Sequence, residues 1–520
     1  MDRQRYLIPM LALITVWSIA LLPTAELCPE EALALLLSKH PALWHLEMGP
    51  LLPWLVNLST WIGGTSEIGV RWMAPMMGFA ISVMIWRLIR GIYDQTTAAW
   101  TVVAIQVLPA FNVMSLAMTT SIVSTTLLLG FIMMLRMALH RSLLWDRRWW
   151  FTGMFLAMAM LADWRNGLAW VCLVIAFGGS KRRRHHLFSP GFFVVTAFAM
   201  VPLWMFVSWN VQLGWPSLEA GESEPAWQVW PNALRWALLI SPALAVFLVM
   251  SLWQAWRNRI KLNHDEALIL AFAIPFAAFD FAWGPREAWP ATGFPLWIML
   301  GLGMLAHQSI VLTLSIQKKV LLRSGTLLLA AIQSQTLMRT DFVRYMGVPW
   351  ALQRQVSERH DHYRHWFKED PSSQLMGWRQ GADVLDKVLA SAAKKDAEPW
   401  FLIARNWPLA VGLDAVLAEH PNIFTATPEH PRIQVMESTA REHPLAVLPR
   451  YDALTNEKES YAGHQALYIS DDPKSLSPPT TIRRSFDHWE ILTIVRIMHV
   501  GVEVRTLKIF ACYGYKPPDL

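Results

Sequence analysis

Glu30 and Glu31 stand side by side, and Glu47 follows seventeen residues after Glu30 on the same long connection between apolar runs. A carboxylate at such a place can take the proton of an attacking hydroxyl. Arg71, Arg165 and Arg286 each fall at the end of an apolar run, and an arginine fork donates two parallel hydrogen bonds to a phosphate. A plainer account exists for both sets. Acids in a surface loop are usually just solvated, and Arg165 near Asp163 and Arg286 beside Glu287 can be locally paired charges. His40 and His45 read as interfacial polar residues, and His360-Asp361-His362 with His365 as a solvated connector, rather than as metal ligands.

The elements that must position these residues are membrane helices. Of 520 residues, 54% are hydrophobic and 16% charged, and the mean hydropathy is +0.29. Soluble domains are about a quarter charged, so much of this chain belongs in a non-aqueous solvent. Apolar runs suited to crossing a bilayer, about 20 residues each, number about eleven. They begin near Tyr6, Val70, Thr97, Leu116, Trp149, Gly167, Pro190, Ala233, Ala267, Trp289 and Val320. With Arg3 and Arg5 inside, the basic loops at Arg87/Arg90, Arg136–Arg148, Lys181–Arg184, Arg257–Lys261 and Lys318–Arg323 all fall on the cytoplasmic side. An odd number of spans then leaves the C-terminal region outside. The net charge of +6 is gathered in those short clusters, which suits an anionic membrane surface and not nucleic acid. The first run reads as a signal anchor, because no small-x-small cleavage site precedes Pro29-Glu30-Glu31. Cys28, Cys172 and Cys512 lie too far apart for a metal or redox motif, and no disulfide framework is expected.

From about Met338 charges, His and Pro become frequent and no run could span a bilayer. Helical periodicity over Ser372–Lys395, short apolar strands at Trp400–Ala404, Ala466–Ser470 and Lys508–Cys512, and a helix over Ala410–Glu419 predict a soluble α/β domain. The expected organisation is thus an α-helical polytopic membrane domain over residues 1–337, with a long first outside loop at 24–66, and a soluble domain over 338–520. The loop alternates acids with apolar stretches, as two amphipathic helices lying on the membrane surface would.

Within that loop Glu30-Glu31-Ala32 is followed by Glu47-Met48-Gly49-Pro50-Leu51, then Leu58-Ser59-Thr60, then Glu67-Ile68-Gly69-Val70-Arg71-Trp72. In order and spacing this series resembles the GT-C membrane glycosyltransferases, the aminoarabinose and dolichyl-phosphate-mannose–protein mannosyltransferase-like enzymes. There the first two motifs read Asp-Glu-Ala and Asp-His-Pro-Pro-Leu. Ala288-Trp289-Pro290-Ala291 and Lys368-Glu369-Asp370-Pro371…Gly377-Trp378 are looser likenesses. The resemblance implies that Glu30 stands at the catalytic acid, with Glu31 its acidic neighbour and Glu47 at the second acid. It implies a polyprenyl-phosphate sugar donor whose phosphate Arg71, Arg165 and Arg286 would hold, and a lipid, glycan or protein acceptor. Some relatives use a divalent ion such as magnesium or manganese. Three departures stand out: Glu30 replaces an Asp, the second motif has no His, and Thr119-Thr120-Ser121 carries no carboxylate where relatives have Thr-Pro-Asp.

The expectation is therefore a multi-pass glycosyltransferase of a bacterial inner membrane, N-terminus cytoplasmic and C-terminal domain periplasmic. The rivals are a catalytically inactive scaffold of the same build, which the departures favour, and a transporter or flippase for an anionic lipid. The second would need ionisable residues deep in its spans, where this chain has few.

Overall fold

The structure is a computed structural model. It describes residues 4–22, 26–39, 42–45, 48–140, 146–179, 183–212, 264–283, 377–393, 400–405, 407–417, 433–435, 463–472, 476–499 and 502–516, with Lys181, Trp215 and Trp253. The chain forms two compact units that are not consecutive in sequence. One takes Met1–Pro23, Pro41–Val211 and Pro225–Val343; the other takes Thr24–His40, Gln212–Glu224 and Arg344–Leu520.

The first unit is helical. Its helices are α1 (Gln4–Leu21), α3 (Leu51–Gly63), α4 (Glu67–Arg71), α5 (Met73–Ile92), α6 (Gln95–Val107), α7 (Pro109–Leu116), α8 (Thr120–Leu139), α9 (Arg147–Ala162), α10 (Leu168–Gly178), α11 (Pro190–Gln212) and α12 (His264–Trp283); α2 (Pro29–Ser38) belongs to the second unit. Among the described residues, Glu67–Ile92, Thr120–Leu139 and Pro190–Gln212 are long and apolar enough to cross a membrane, and Ile8–Ala20 and Trp164–Gly178 are shorter apolar helices. The expected spans near Ala233, Trp289 and Val320 lie outside the described residues. The run expected from Thr97 is divided. Leu108 is extended, with φ −67° and ψ 128°, and ends α6 just before Pro109 opens α7. Proline disfavours a helical conformation in the residue before it and lacks the N–H that would continue the ladder.

Helix α8 is the centre of this unit, packing against α5 and α9 with Ile122, Leu128, Phe131, Ile132 and Leu135 buried. The ends of the helices separate by charge. At one end Arg136 donates to Gly91 O and Asp265, and Arg183 donates to His264 O. Three of the basic loops expected on a common side therefore meet there, joined by the start of α12. The starts of α5 and α8 and the end of α9 lie at the opposite end.

The second unit is built on a mixed five-stranded sheet in the order β2-β1-β3-β5-β4. β1 (Trp400–Ala404) pairs in parallel with β2 (Ile433–Val435) and β3 (Gln465–Ser470); β5 (Val502–Tyr515) runs antiparallel to β3 and to β4 (Phe486–His499). The strand expected at Lys508–Cys512 is the middle of the much longer β5, and β4 was not expected. One face of the sheet is covered by α13 (Trp378–Ala393) and α14 (Trp407–Leu417). Trp378, Ala382, Leu385 and Leu389 of α13 meet Leu402, Leu467 and Ile509 there, the helical spacing of a single buried stripe. The other face carries Phe401, Tyr468, Phe486 and Phe510. Cys28, Cys172 and Cys512 are buried free thiols.

Candidate active site

The second motif is folded against the end of α9. Gly49 lies so close to that helix that a Cβ there would meet Leu161 O at 2.1 Å, so no side chain fits. Glu47 itself lies outside the described residues, while His45 before it and Met48 after it are buried. The chain then turns at Asp163, which caps the short 3-10 turn Trp164–Gly167 by accepting from Arg165 N–H at 2.9 Å. Its carboxylate also accepts from Arg165 Nε at 3.0 and 2.9 Å and lies 2.6 Å from Nη2. Asp163 is 5% exposed and Arg165 42%, so the pair is clasped at its acidic root and open to solvent at the guanidinium.

Aromatic rings lock this corner. Phe206 of α11 meets Trp44 edge-on and stacks on Trp164, both at 5.2 Å between centroids. Asn166, 0% exposed, donates to Ala159 O at 2.7 Å and to Ser124 Oγ of α8 at 3.0 Å. The turn is thus tied to the start of α8, where Thr119 and Ser121 are buried. Among the described residues, Asn166 Oδ1 and Thr119 Oγ1 are buried oxygens with no hydrogen-bond partner in the protein, acceptors that a hydroxyl group could satisfy.

Arg71 sits at the third and fourth motifs, which are pinned to each other. Ser59 Oγ donates to Gly69 O at 2.6 Å, and Trp72 Nε1 donates to Ser59 O at 3.3 Å. Ser66 opens the one-turn α4 by accepting from Gly69 N–H at 3.2 Å. The result buries Arg71 to 1% exposure. A guanidinium so buried persists only with compensating partners, and it stands at the same end of the helix array as the Asp163–Arg165 turn. Ser59, Gly69 and Asn166 are the positioning residues that the sequence reading passed over.

Glu30 and Glu31 are in the second unit, on α2. Pro29 suits the first helical position because its missing N–H has no partner to lose there. Glu31 is 0% exposed, and its carboxylate reaches back to accept from Cys28 N–H at 3.0 Å. Glu30, next to it, is half-buried. Arg286 lies outside the described residues. The site set therefore divides: Glu30 and Glu31 in one unit, Arg71 and Arg165 in the other.

Among the described residues no group of three or more His, Cys, Asp or Glu side chains is placed to hold a metal ion. Glu31 is engaged as a helix cap and Asp163 by Arg165. These residues do not make a metal centre, and no chemical step below is routed through one.

Residues 39–209 match the sequence profile described as dolichyl-phosphate-mannose-protein mannosyltransferase. That stretch holds Glu47, Arg71 and Arg165; Glu30, Glu31 and Arg286 fall outside it. Comparison with curated proteins finds no match. Among solved structures, ArnT from Cupriavidus metallidurans bound to undecaprenyl phosphate is similar over 97% of this chain and 97% of its own, at 14% identity and a TM-score of 0.54. The apo form of that protein aligns over 98% of this chain and 97% of its own, at 15% identity and a TM-score of 0.53. The oligosaccharyltransferase of Archaeoglobus fulgidus aligns over 89% of this chain and 67% of its own, at 15% identity and a TM-score of 0.48. The resemblance read from the first-loop motifs is thus borne out: residues 39–209 match the mannosyltransferase family profile, and the chain has the fold of ArnT.

Proposed function

We propose that this protein is an integral-membrane glycosyltransferase that moves one sugar from a polyprenyl-phosphate donor to a lipid, glycan or protein acceptor at the outer face of a bacterial inner membrane. The observation that carries the reading is the corner where Gly49 closes on the end of α9 beside the Asp163–Arg165 pair. It is formed by the very motifs that the family profile spans. ArnT, which shares the fold, was crystallised with undecaprenyl phosphate.

In this reading Glu30 is the general base, taking the acceptor's proton as its oxygen attacks the anomeric carbon. Such proton transfer contributes about 10²–10⁴-fold in rate. Negative charge gathers on the departing phosphate, and fixed cations lower the barrier by meeting it there. Arg165 suits that task, with its Nε side held by Asp163 and its outer edge exposed. Arg71 and Arg286 are the further candidates. Displacement from the opposite face would invert the anomeric centre, as the family implies.

The test is transfer by the purified protein in lipid, using radiolabelled polyprenyl-phosphate sugars against membrane lipid and glycan extracts, with and without magnesium or manganese. Labelled product from the wild type that is lost in Glu30→Gln supports both class and base. Product that survives Glu30→Gln keeps the class and rejects the base. No product from any donor favours the inactive-scaffold reading, for which the absence of a carboxylate in Thr119–Ser121 already speaks.

A further inference from the structure

The segment that carries Glu30 and Glu31 folds with residues more than three hundred positions away. Thr24–His40 belongs to the same compact unit as the C-terminal sheet, and α2 packs against α14. Ahead of α2, the carboxylate of Glu26 accepts from Trp378 N–H at 2.5 Å and from Arg379 N–H. These are the first two amides of α13, donors that no carbonyl within the helix can reach. A carboxylate at that end also meets the positive pole of the helix.

The amide that Glu26 grips belongs to a side chain held on several sides. Trp378 is 1% exposed. The guanidinium carbon of Arg505 on β5 lies 3.5 Å from its ring centre, a cation–π contact. Gly412 of α14 leaves room for its edge, since a Cβ there would sit 2.4 Å from the ring. Helix, sheet and capping acid thus converge on one indole. Only Leu27 separates Glu26 from Cys28, the N-cap of α2, so whatever holds Glu26 also holds the start of that helix.

We propose that Glu26 is a positioning residue: by capping α13 it fastens α2 to the C-terminal domain, which thereby sets the placement of the Glu30 and Glu31 carboxylates. The functional half of this proposal rests on the reading of Glu30 as the base; the docking half does not. Burial raises the pKa of Glu26, while the two amide hydrogen bonds and the charges of Arg379 and Arg505 oppose the rise. What the cap requires is therefore an acceptor oxygen of the right reach, which Gln also has.

The experiment uses the full chain in lipid nanodiscs, as wild type and as Glu26→Ala, Glu26→Gln, Glu26→Asp and Glu30→Gln. Hydrogen exchange is followed over Cys28–Ser38 and Trp378–Gly381, and kcat and KM are measured with whichever radiolabelled polyprenyl-phosphate sugar the wild type turns over. In Glu26→Ala, exchange in both segments is expected to rise about fivefold or more, the loss of one helix cap, while β1, β3 and β5 stay protected. The turnover number is expected to fall about tenfold or more with donor KM unchanged, because a displaced base loses alignment. Glu26→Gln should restore both readouts. If Glu26→Ala does not fold, Glu26→Asp, one methylene shorter, should show the same pattern in weaker form. Unchanged exchange overturns the docking, whatever happens to transfer. Faster exchange with full turnover overturns the positioning role. Survival of transfer in Glu30→Gln defeats the catalytic reading alone, and exchange in the Glu26 variants still decides the docking.

Discussion

Glu31 accepts from Cys28 N–H while wholly buried, and Glu30 one position earlier is half-buried. Adjacent residues on a helix point about 100° apart, so the two acids are given different work. Replacing Glu31 by Ala is expected to destabilise the second unit by about 1 kcal/mol through loss of the cap. Glu31→Gln keeps an acceptor oxygen and is expected to unfold near the wild-type temperature. Glu30→Gln should leave the unfolding temperature alone and abolish transfer. Thermal unfolding in nanodiscs beside the transfer assay separates these outcomes. The pair of acids was legible in the sequence, but their division of labour was not. Cysteine is not among the usual N-cap residues, so Cys28-Pro29-Glu30-Glu31 gives little sign of a helix start. Arg165 shows a similar limit. Its nearness to Asp163 was plain, yet two accounts fitted it, and only the bond geometry shows the Nε side occupied with the outer edge left open.

At the scale of elements, motif order acquires a physical cause. Leu58-Ser59-Thr60 precedes Glu67–Trp72 because Ser59 bonds the backbone of the later segment across the α3–α4 corner. Gly69 is indispensable there, since a Cβ would come within 1.8 Å of Gly64 O. Gly69→Ala is expected to cost about 1–3 kcal/mol as an overpacked contact, seen as a lower unfolding temperature and a lower folded yield. The connection between α10 and α11 is sensitive to acid instead. His186 lies 5.6 Å from Phe177 and 6.1 Å from Trp149 between ring centroids. Burial, with the nearby charges of His185 and Arg183, lowers its pKa from 6.5 to about 4. The folded form thus prefers the neutral ring, and its contribution to stability is complete above pH 6.5 and lost as the pH falls toward 4. Protection factors over Arg184–Phe188 are expected to drop across that window in the wild type and to stay level in His186→Phe. The helix break at Leu108 could be read from Pro109. The β4–β5 hairpin could not, because His488, Glu490 and Arg496 interrupt an apolar strand whose Ile491, Leu492 and Ile494 are exposed.

At the scale of the molecule, reporter fusions at Arg183 and Arg364 are expected to fall on opposite faces of the membrane, Arg183 cytoplasmic and Arg364 outside. The same face for both, or the reverse arrangement, would remove the outer-face site from the proposal. The shared end formed by Arg136, Gly91, Asp265, Arg183 and His264 is the structural counterpart of the loop charges on which that expectation rests. The sequence by itself determined that this chain is a membrane helix array joined to a water-soluble sheet domain. Bilayer partitioning is the sum of contributions from consecutive residues, and alternation along a strand is likewise local. Only the tertiary structure decided that α2 belongs with the sheet domain, that Gly49 closes on the end of α9, and that Glu26 caps a helix 352 residues away. Those contacts depend on which surfaces fit one another once the chain has packed, and no local period or composition encodes them.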